Sequence, residues 1–141
     1  VVFGKQAEQY ASLFPFPIYP MNYVSNEKEL VDIYNAVDLY VTPSLQDNLP
    51  NTIVEAMACG IPCVGFNVGG IPQMIDHLHN GYVAEYQSAK DLANGIRWTL
   101  TEGEYDNLSE EACRKALSSY SESIISMRYI DIYNKITGSH A

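Results

Sequence analysis

Between Glu29 and Ala89 the chain has no lysine and no arginine, and over its whole length 8 basic residues stand against 17 acidic ones. A formal net charge of −9 excludes the basic face that nucleic acid selects, so nucleic acid is not an expected partner. Cysteine is scarce as well. Cys59, Cys63 and Cys113 are three, at a spacing that matches no zinc pattern, and reduced, buried thiols are the expectation. No apolar run is long enough to cross a bilayer, and no stretch at the start reads as a secretory signal, so a cytoplasmic location is expected. His77 and His79 alternate with no third ligand nearby, which makes them surface histidines and predicts no metal site. A Ser-His-Asp or Cys-His arrangement is also missing, so the sequence offers little chemistry of its own.

What is present is an alternation of short strands and helices. With 47% hydrophobic residues, a chain of 141 can build one core, and residues 1–141 read as a single domain. Ala36–Ser44 contains an apolar run of strand length that ends in a Pro-Ser breaker. A helix follows over Thr52–Cys59, stopped by Gly60 with Pro62 just beyond. Cys63–Phe66 reads as a second strand, Gln73–Leu78 as a short helix and Tyr82–Tyr86 as a third strand. Ala89–Leu100, Glu104–Ser119 and Ser121–Ile136 read as helices with apolar stripes that cover the sheet. The pattern predicts an α/β fold, a Rossmann-like open parallel sheet flanked by helices. In such sheets ligands bind beyond the carboxyl ends of the strands, and Pro43–Thr52 is one of those ends.

Two carboxylates, Asp47 and Glu55, flank that point in SLQDNLPNTIVEAMACGIP. Pro50, Asn51 and Thr52 read as the start of the helix: Pro suits the first position, and Asn or Thr can cap its N–H groups. A helix start presents donors and partial positive charge, which suits a phosphate. Glu55, inside the first turns, can accept both hydrogen bonds of a ribose diol. Asp47, ahead of the helix, can reach a second polyol beyond the phosphates. The layout fits a sugar joined to a nucleoside through a diphosphate. A plainer reading fits the same residues: Thr52 and Glu55 as a capping box, and Asp47-Asn48 as a polar turn.

The string PSLQDNLPNTIVEAMACGIPCVGFNVGGIPQMIDHLHNGYVA resembles the donor-binding half of family 4 retaining glycosyltransferases of the GT-B fold. Their pattern runs P-S-x-x-E-x7-E-A-M-A-x-G-x-P-V-V, then G-G-x-P-E and N-G. YVSNEKELVDIYNAVDLYVTPS and YSESIISMRYIDIYNKI are similar to the family's preceding loop, helix and strand and to its closing helix. The resemblance implies a partial C-terminal domain that lacks its first strand–helix unit and the N-terminal acceptor domain. It implies that Asp47 is the catalytic-site acid contacting hydroxyls of the transferred sugar and that Glu55 contacts the nucleotide ribose. The loop Asn48, Leu49, Pro50, Asn51 and Thr52 would meet the sugar and diphosphate. The donor is then a nucleotide-diphosphate sugar and the acceptor a glycan or lipid, with no cofactor and no metal. Peripheral membrane association of the parent enzyme belongs to the same expectation. Three departures stand out: Asp47 is one methylene shorter than the usual Glu, Pro50 replaces a frequent Gly, and Asn22 and Gln73 stand where Gly and Glu are usual, which speaks against a nucleotide contact near Tyr23 and Val24.

Charge adds a further expectation. A diphosphate is ordinarily gripped by at least one cation, yet none stands between Glu29 and Ala89. In the family the gripping Arg and Lys precede the strand matched here by Val1–Phe3, so the chain is expected to be a fragment, inactive alone, of a transferase of hexose-type sugars. A binding module without turnover, a synthase and a nucleotide-sugar epimerase are the rival readings.

Overall fold

The structure, a computed structural model, describes residues 1–3, 7–10, 13–21 and 24–138. Asn22 and Tyr23 therefore lie outside the described residues. The chain divides into two compact units, Val1–Val37 and Asp38–Ala141.

In the first unit β1 (Val2–Phe3) pairs in parallel with β2 (Pro20–Met21), and α1 (Ala7–Tyr10) lies between them in sequence. Helix α2 (Glu27–Asn35) starts at Asn26, whose side chain accepts the Lys28 N–H at 2.9 Å, an N-cap of the kind Asn favours. Ile33 and Tyr34 of α2 are buried.

The second unit holds a three-stranded parallel sheet in the order β3 (Tyr40–Thr42), β4 (Cys63–Phe66), β5 (Gly81–Ala84). The central strand is buried along its whole length, as a strand covered on both faces should be. Helix α3 (Asn51–Ala58) connects β3 to β4, and α4 (Ile71–Met74) connects β4 to β5. Helices α5 (Ala89–Thr101), α6 (Tyr105–Tyr120) and α7 (Glu122–Thr137) follow. Ile53, Ala56 and Met57 of α3 are buried, and so are Leu108, Ala112 and Ala116, a stripe four residues apart on α6. The small alanines let α6 lie close along α3. Each large side chain buried in this way stabilises the unit by roughly 1.5–3 kcal/mol.

The α/β class and the parallel strands flanked by helices agree with the reading of the sequence. Three details differ. Helix α4 occupies Ile71–Met74 instead of Gln73–Leu78, because the segment after it folds as a turn around buried Asn80. The Asn80 side chain accepts the Asp76 N–H, and the N–H groups of His79 and Asn80 return to the Asp76 carbonyl. Strand β5 begins at Gly81 and closes at Ala84, short of the expected Tyr86. Helix α7 buries none of its residues and packs along α6, and of the three C-terminal helices α5 is the one that lies on the sheet, with α3 and α4 also packing on β4.

Candidate functional site

The carboxyl end of β3 leads through Pro43 and Ser44 into the loop that carries Asp47, and α3 begins immediately after it. Asp47, Pro50, Thr52 and Glu55 are half-buried, whereas Asn48, Leu49 and Asn51 are exposed. Six of the seven anticipated positions thus stand on the loop or first turn, with Glu55 one turn further along α3.

The helix start corrects the sequence reading. Its cap residue is Pro50, with φ −66° and ψ 118°, and a proline side chain has no acceptor to offer. Asn51 and Thr52 therefore stand inside the helix rather than capping it. A capping box requires its Ser or Thr at the cap with the acid three residues on. Thr52 is the second helical residue, so Glu55 lies outside that geometry. The Thr52 hydroxyl is engaged elsewhere: it accepts from the Tyr40 hydroxyl at 2.8 Å. Tyr40 is the first residue of β3, so this bond ties the sheet to the first turn of α3.

Burial pushes the Tyr40 phenol above its ordinary pKa, the bond to Thr52 opposes that shift, and the fields of Cys63, Glu55 and Asp47 add to it. The phenol thus stays protonated and donating throughout the neutral range.

Two further elements press on the Asp47 loop. Gly69 has φ +55°, and a Cβ built on it would lie 1.7 Å from the Asp47 carbonyl oxygen. A Cβ on Gly70 would meet the Asn48 carbonyl oxygen at 2.0 Å and the Leu49 side chain at 2.6 Å. Only a bare backbone fits there, and the first of the two also needs the left-handed conformation that glycine adopts without penalty. From beyond β5 the Tyr86 hydroxyl donates to the Leu45 carbonyl at 3.3 Å, and Gln87 Nε2 donates in turn to that hydroxyl at 3.3 Å.

Tyr40, Gly69, Gly70 and Tyr86 were not singled out from sequence as parts of the site. The neighbour in space of the Gly-Gly pair is not encoded in any local spacing. Gln73, at the position of the usual family acid, lies in α4 with its carbonyl accepting from the Tyr120 hydroxyl at 3.2 Å. Among the described residues no three His, Cys, Asp or Glu side chains gather as a metal site. His77 is exposed, and its Nδ1 accepts the Val83 N–H at 3.1 Å. Cys59, Cys63 and Cys113 are free thiols, of which Cys63 alone is fully buried. No described helix is long and apolar enough to cross a membrane.

A loop of this build, with two carboxylates about a helix start at the end of a parallel strand, belongs to the α/β proteins that bind ligands at strand ends. Residues 21–116 match the model of the family described as Glycosyl transferases group 1, and the chain belongs to that family. It is 30% identical over 117 residues to N,N'-diacetylbacillosaminyl-diphospho-undecaprenol alpha-1,3-N-acetylgalactosaminyltransferase of Campylobacter jejuni, a match covering 82% of this chain and 31% of the relative. To N-acetyl-alpha-D-glucosaminyl L-malate synthase of Bacillus anthracis it is 29% identical, over 79% of this chain and 29% of that protein. The chain thus spans about a third of the length of the curated relatives it matches. Among solved structures, sucrose-phosphate synthase of Thermosynechococcus elongatus superposes with a TM-score of 0.80 at 20% identity, over 96% of this chain and 34% of that one. HepE of Anabaena, solved in complex with UDP-glucose, gives 0.79 at 19% identity, over 94% and 40%. Those two likenesses concern the fold.

Proposed function

We propose that the chain is the C-terminal, donor-binding part of a retaining glycosyltransferase that transfers a hexose-type sugar from a nucleoside diphosphate to a glycan or lipid acceptor. The observation that carries this reading is the loop between the carboxyl end of β3 and the start of α3, where Asp47 stands ahead of the helix and Glu55 one turn inside it. Family membership and the UDP-glucose complex of the HepE relative support the choice of ligand.

In this reading Glu55 accepts the ribose hydroxyls, the start of α3 faces the diphosphate, and Asp47 accepts hydroxyls of the sugar. Loop residues Asn48 to Thr52 line the path between them. The helix start contributes about half an elementary charge of positive potential, which favours both the bound diphosphate and the nucleoside diphosphate as it departs. Because Glu29–Ala89 contains no Lys or Arg, the cations that complete that binding come from outside this stretch. The two acids serve different ends of one ligand, unlike the pair of a glycosidase, whose carboxylates flank a single bond. Catalysis then rests on donor orientation and on electrostatic stabilisation of the leaving group, without a metal or other cofactor. The acceptor is held by parts of the protein beyond this chain, at the cytoplasmic side of a membrane where the acceptor is a lipid.

The test is a pair of titrations on the full-length protein, one with nucleoside diphosphate and one with intact sugar donor. Glu55→Gln weakens both by about 1–3 kcal/mol, the cost of losing a charged hydrogen-bond partner. Asp47→Asn lowers turnover and donor affinity while nucleoside diphosphate affinity holds. Equal losses for both ligands in Asp47→Asn overturn its assignment to the sugar. Binding without transfer in every acceptor mixture indicates a binding module.

A further inference from the structure

We propose that Tyr40 is a positioning residue of this site. Its hydroxyl, 2.8 Å from Thr52 Oγ1, holds the first turn of α3 at the angle that aims Glu55 and the helix start at the nucleoside end of the donor. The inference rests on the reading of the site given above and adds the residue that sets its geometry.

Tyr40 is fixed at both ends. Its main chain belongs to β3, where it stands opposite Cys63 in the ladder and its N–H donates to the Pro62 carbonyl at 3.0 Å. Its ring spans from the strand to the helix, and its hydroxyl meets the second residue of α3. Pro50, the cap residue, supplies no side-chain acceptor, so the bond from Tyr40 is a side-chain tether of the first turn to the sheet. Glu55 lies one turn further along the same helix, so a tilt of that turn carries its carboxylate away from a ribose. A phenol donor suits the task better than an ionising group. Burial keeps it protonated, so its hold on Thr52 is independent of pH across the neutral range. The nearby negative fields of Glu55 and Asp47 act in the same direction. Such a tilt matters because binding groups must be held within a fraction of an ångström of their working positions.

The experiment is a double-mutant cycle in the full-length protein with Tyr40→Phe, Thr52→Val and the double variant. The measurements are Kd for UDP and GDP, kcat and KM for sugar transfer, and the melting temperature of each variant. Each single variant is expected to raise Kd for the nucleoside diphosphate about five- to tenfold, the loss of one neutral hydrogen bond. The double variant should be no worse than either single one, since both remove the same bond. KM should rise while kcat changes little, unlike Asp47→Asn, which lowers turnover and leaves nucleoside diphosphate affinity unchanged. A fall in melting temperature with unchanged Kd and KM overturns the proposal, because it marks Tyr40 as a strut of the fold only. Additive losses overturn it too, because the residues then act separately. If Tyr40→Phe does not fold, Thr52→Val removes the same bond from the helix side, and an unaltered Kd in that variant is equally decisive against it. Wild-type protein that binds neither nucleotide defeats the reading of the site itself, whereas wild-type binding with unaltered variants defeats the role of Tyr40 alone.

Discussion

Adding one methyl group at Gly69 or Gly70 separates the two demands that the turn before α4 makes. At Gly69 the demands coincide: the residue has φ +55°, and its Cβ would lie 1.7 Å from the Asp47 carbonyl oxygen. At Gly70 the backbone is ordinary, with φ −91° and ψ −2°, yet a Cβ would stand 2.0 Å from the Asn48 carbonyl oxygen. Real contacts of that kind scarcely fall under 3.0 Å, so the loop must retreat by about an ångström in either variant. Gly70→Ala therefore carries the steric cost alone, about 1–3 kcal/mol by analogy with overpacked cores. Gly69→Ala adds the left-handed penalty of roughly 1–2 kcal/mol. Against a total stability of about 5–15 kcal/mol both variants should fold, with Gly69→Ala the weaker. Denaturant unfolding measures the first effect. Donor titration measures the second: the displaced carbonyls belong to Asp47 and Asn48, so sugar-donor affinity should fall more than nucleoside diphosphate affinity. Two variants as stable as wild type, with donor binding intact, would refute the idea that this turn shapes the loop. Equal destabilisation of the two would refute the separate backbone term.

Two other predictions concern parts of the fold away from the loop. The Asp91 carboxylate accepts the Glu85 N–H at 2.8 Å and the Tyr82 hydroxyl at 3.0 Å, and these bonds, the first chiefly, hold its pKa below the ordinary carboxylate value. A depressed folded-state pKa adds stability above the unfolded value and loses it as pH falls through the folded one, so wild type should lose stability below about pH 4 more steeply than Asp91→Asn. Parallel urea midpoints for the two proteins between pH 6 and pH 3 would count against this. Burial raises the Cys63 thiol far above the usual range, while Cys59 and Cys113 are half-exposed. A thiol reagent at pH 8 should modify Cys59 and Cys113 in the native protein and reach Cys63 only on unfolding; prompt native labelling of Cys63 would show that β4 is not closed.

The parts of this molecule that were legible in its sequence are those set by neighbours along the chain. Strand Cys63–Phe66 and the boundaries of α5, α6 and α7 follow from apolar periodicity and flanking breakers, within a residue of the observed ends. The loop carrying Asp47 and the helix carrying Glu55 were legible for the same reason. The misjudged cap shows where local signals stop. Thr52 has the right chemistry to cap a helix, but its hydroxyl is occupied by Tyr40, twelve residues back, on a strand. A cap is worth about 1 kcal/mol, comparable with one such hydrogen bond, so tertiary competition can decide the outcome. Periodicity likewise places α7 correctly but says nothing of what covers it, and Met127, Ile130 and Tyr133 remain exposed.

The same division runs through the site. Its chemical groups, Asp47, Glu55 and the helix start between them, lie within nine consecutive residues and are visible as a motif. What holds them does not. Leu45 is fixed by Tyr86 from 41 residues away, and the Asp47 and Asn48 carbonyls are backed by a Gly-Gly turn more than twenty residues further along. Each support approaches as backbone or as a single hydroxyl, so it leaves no pattern of its own in composition or charge. A replacement for any of them that looks mild in sequence, such as alanine for glycine or phenylalanine for tyrosine, acts at a distance on the carboxylates. Function at this loop is therefore more sensitive to residues outside the motif than the motif alone implies, and the order of effects expected here is Gly69→Ala before Gly70→Ala before Tyr86→Phe. The first shifts a carbonyl against bare backbone and strains its own φ, the second only shifts the carbonyl, and the third loses two long, exposed hydrogen bonds of one hydroxyl. Measured donor affinities in any other order would mean that the loop keeps its shape by its own turn chemistry rather than by these contacts.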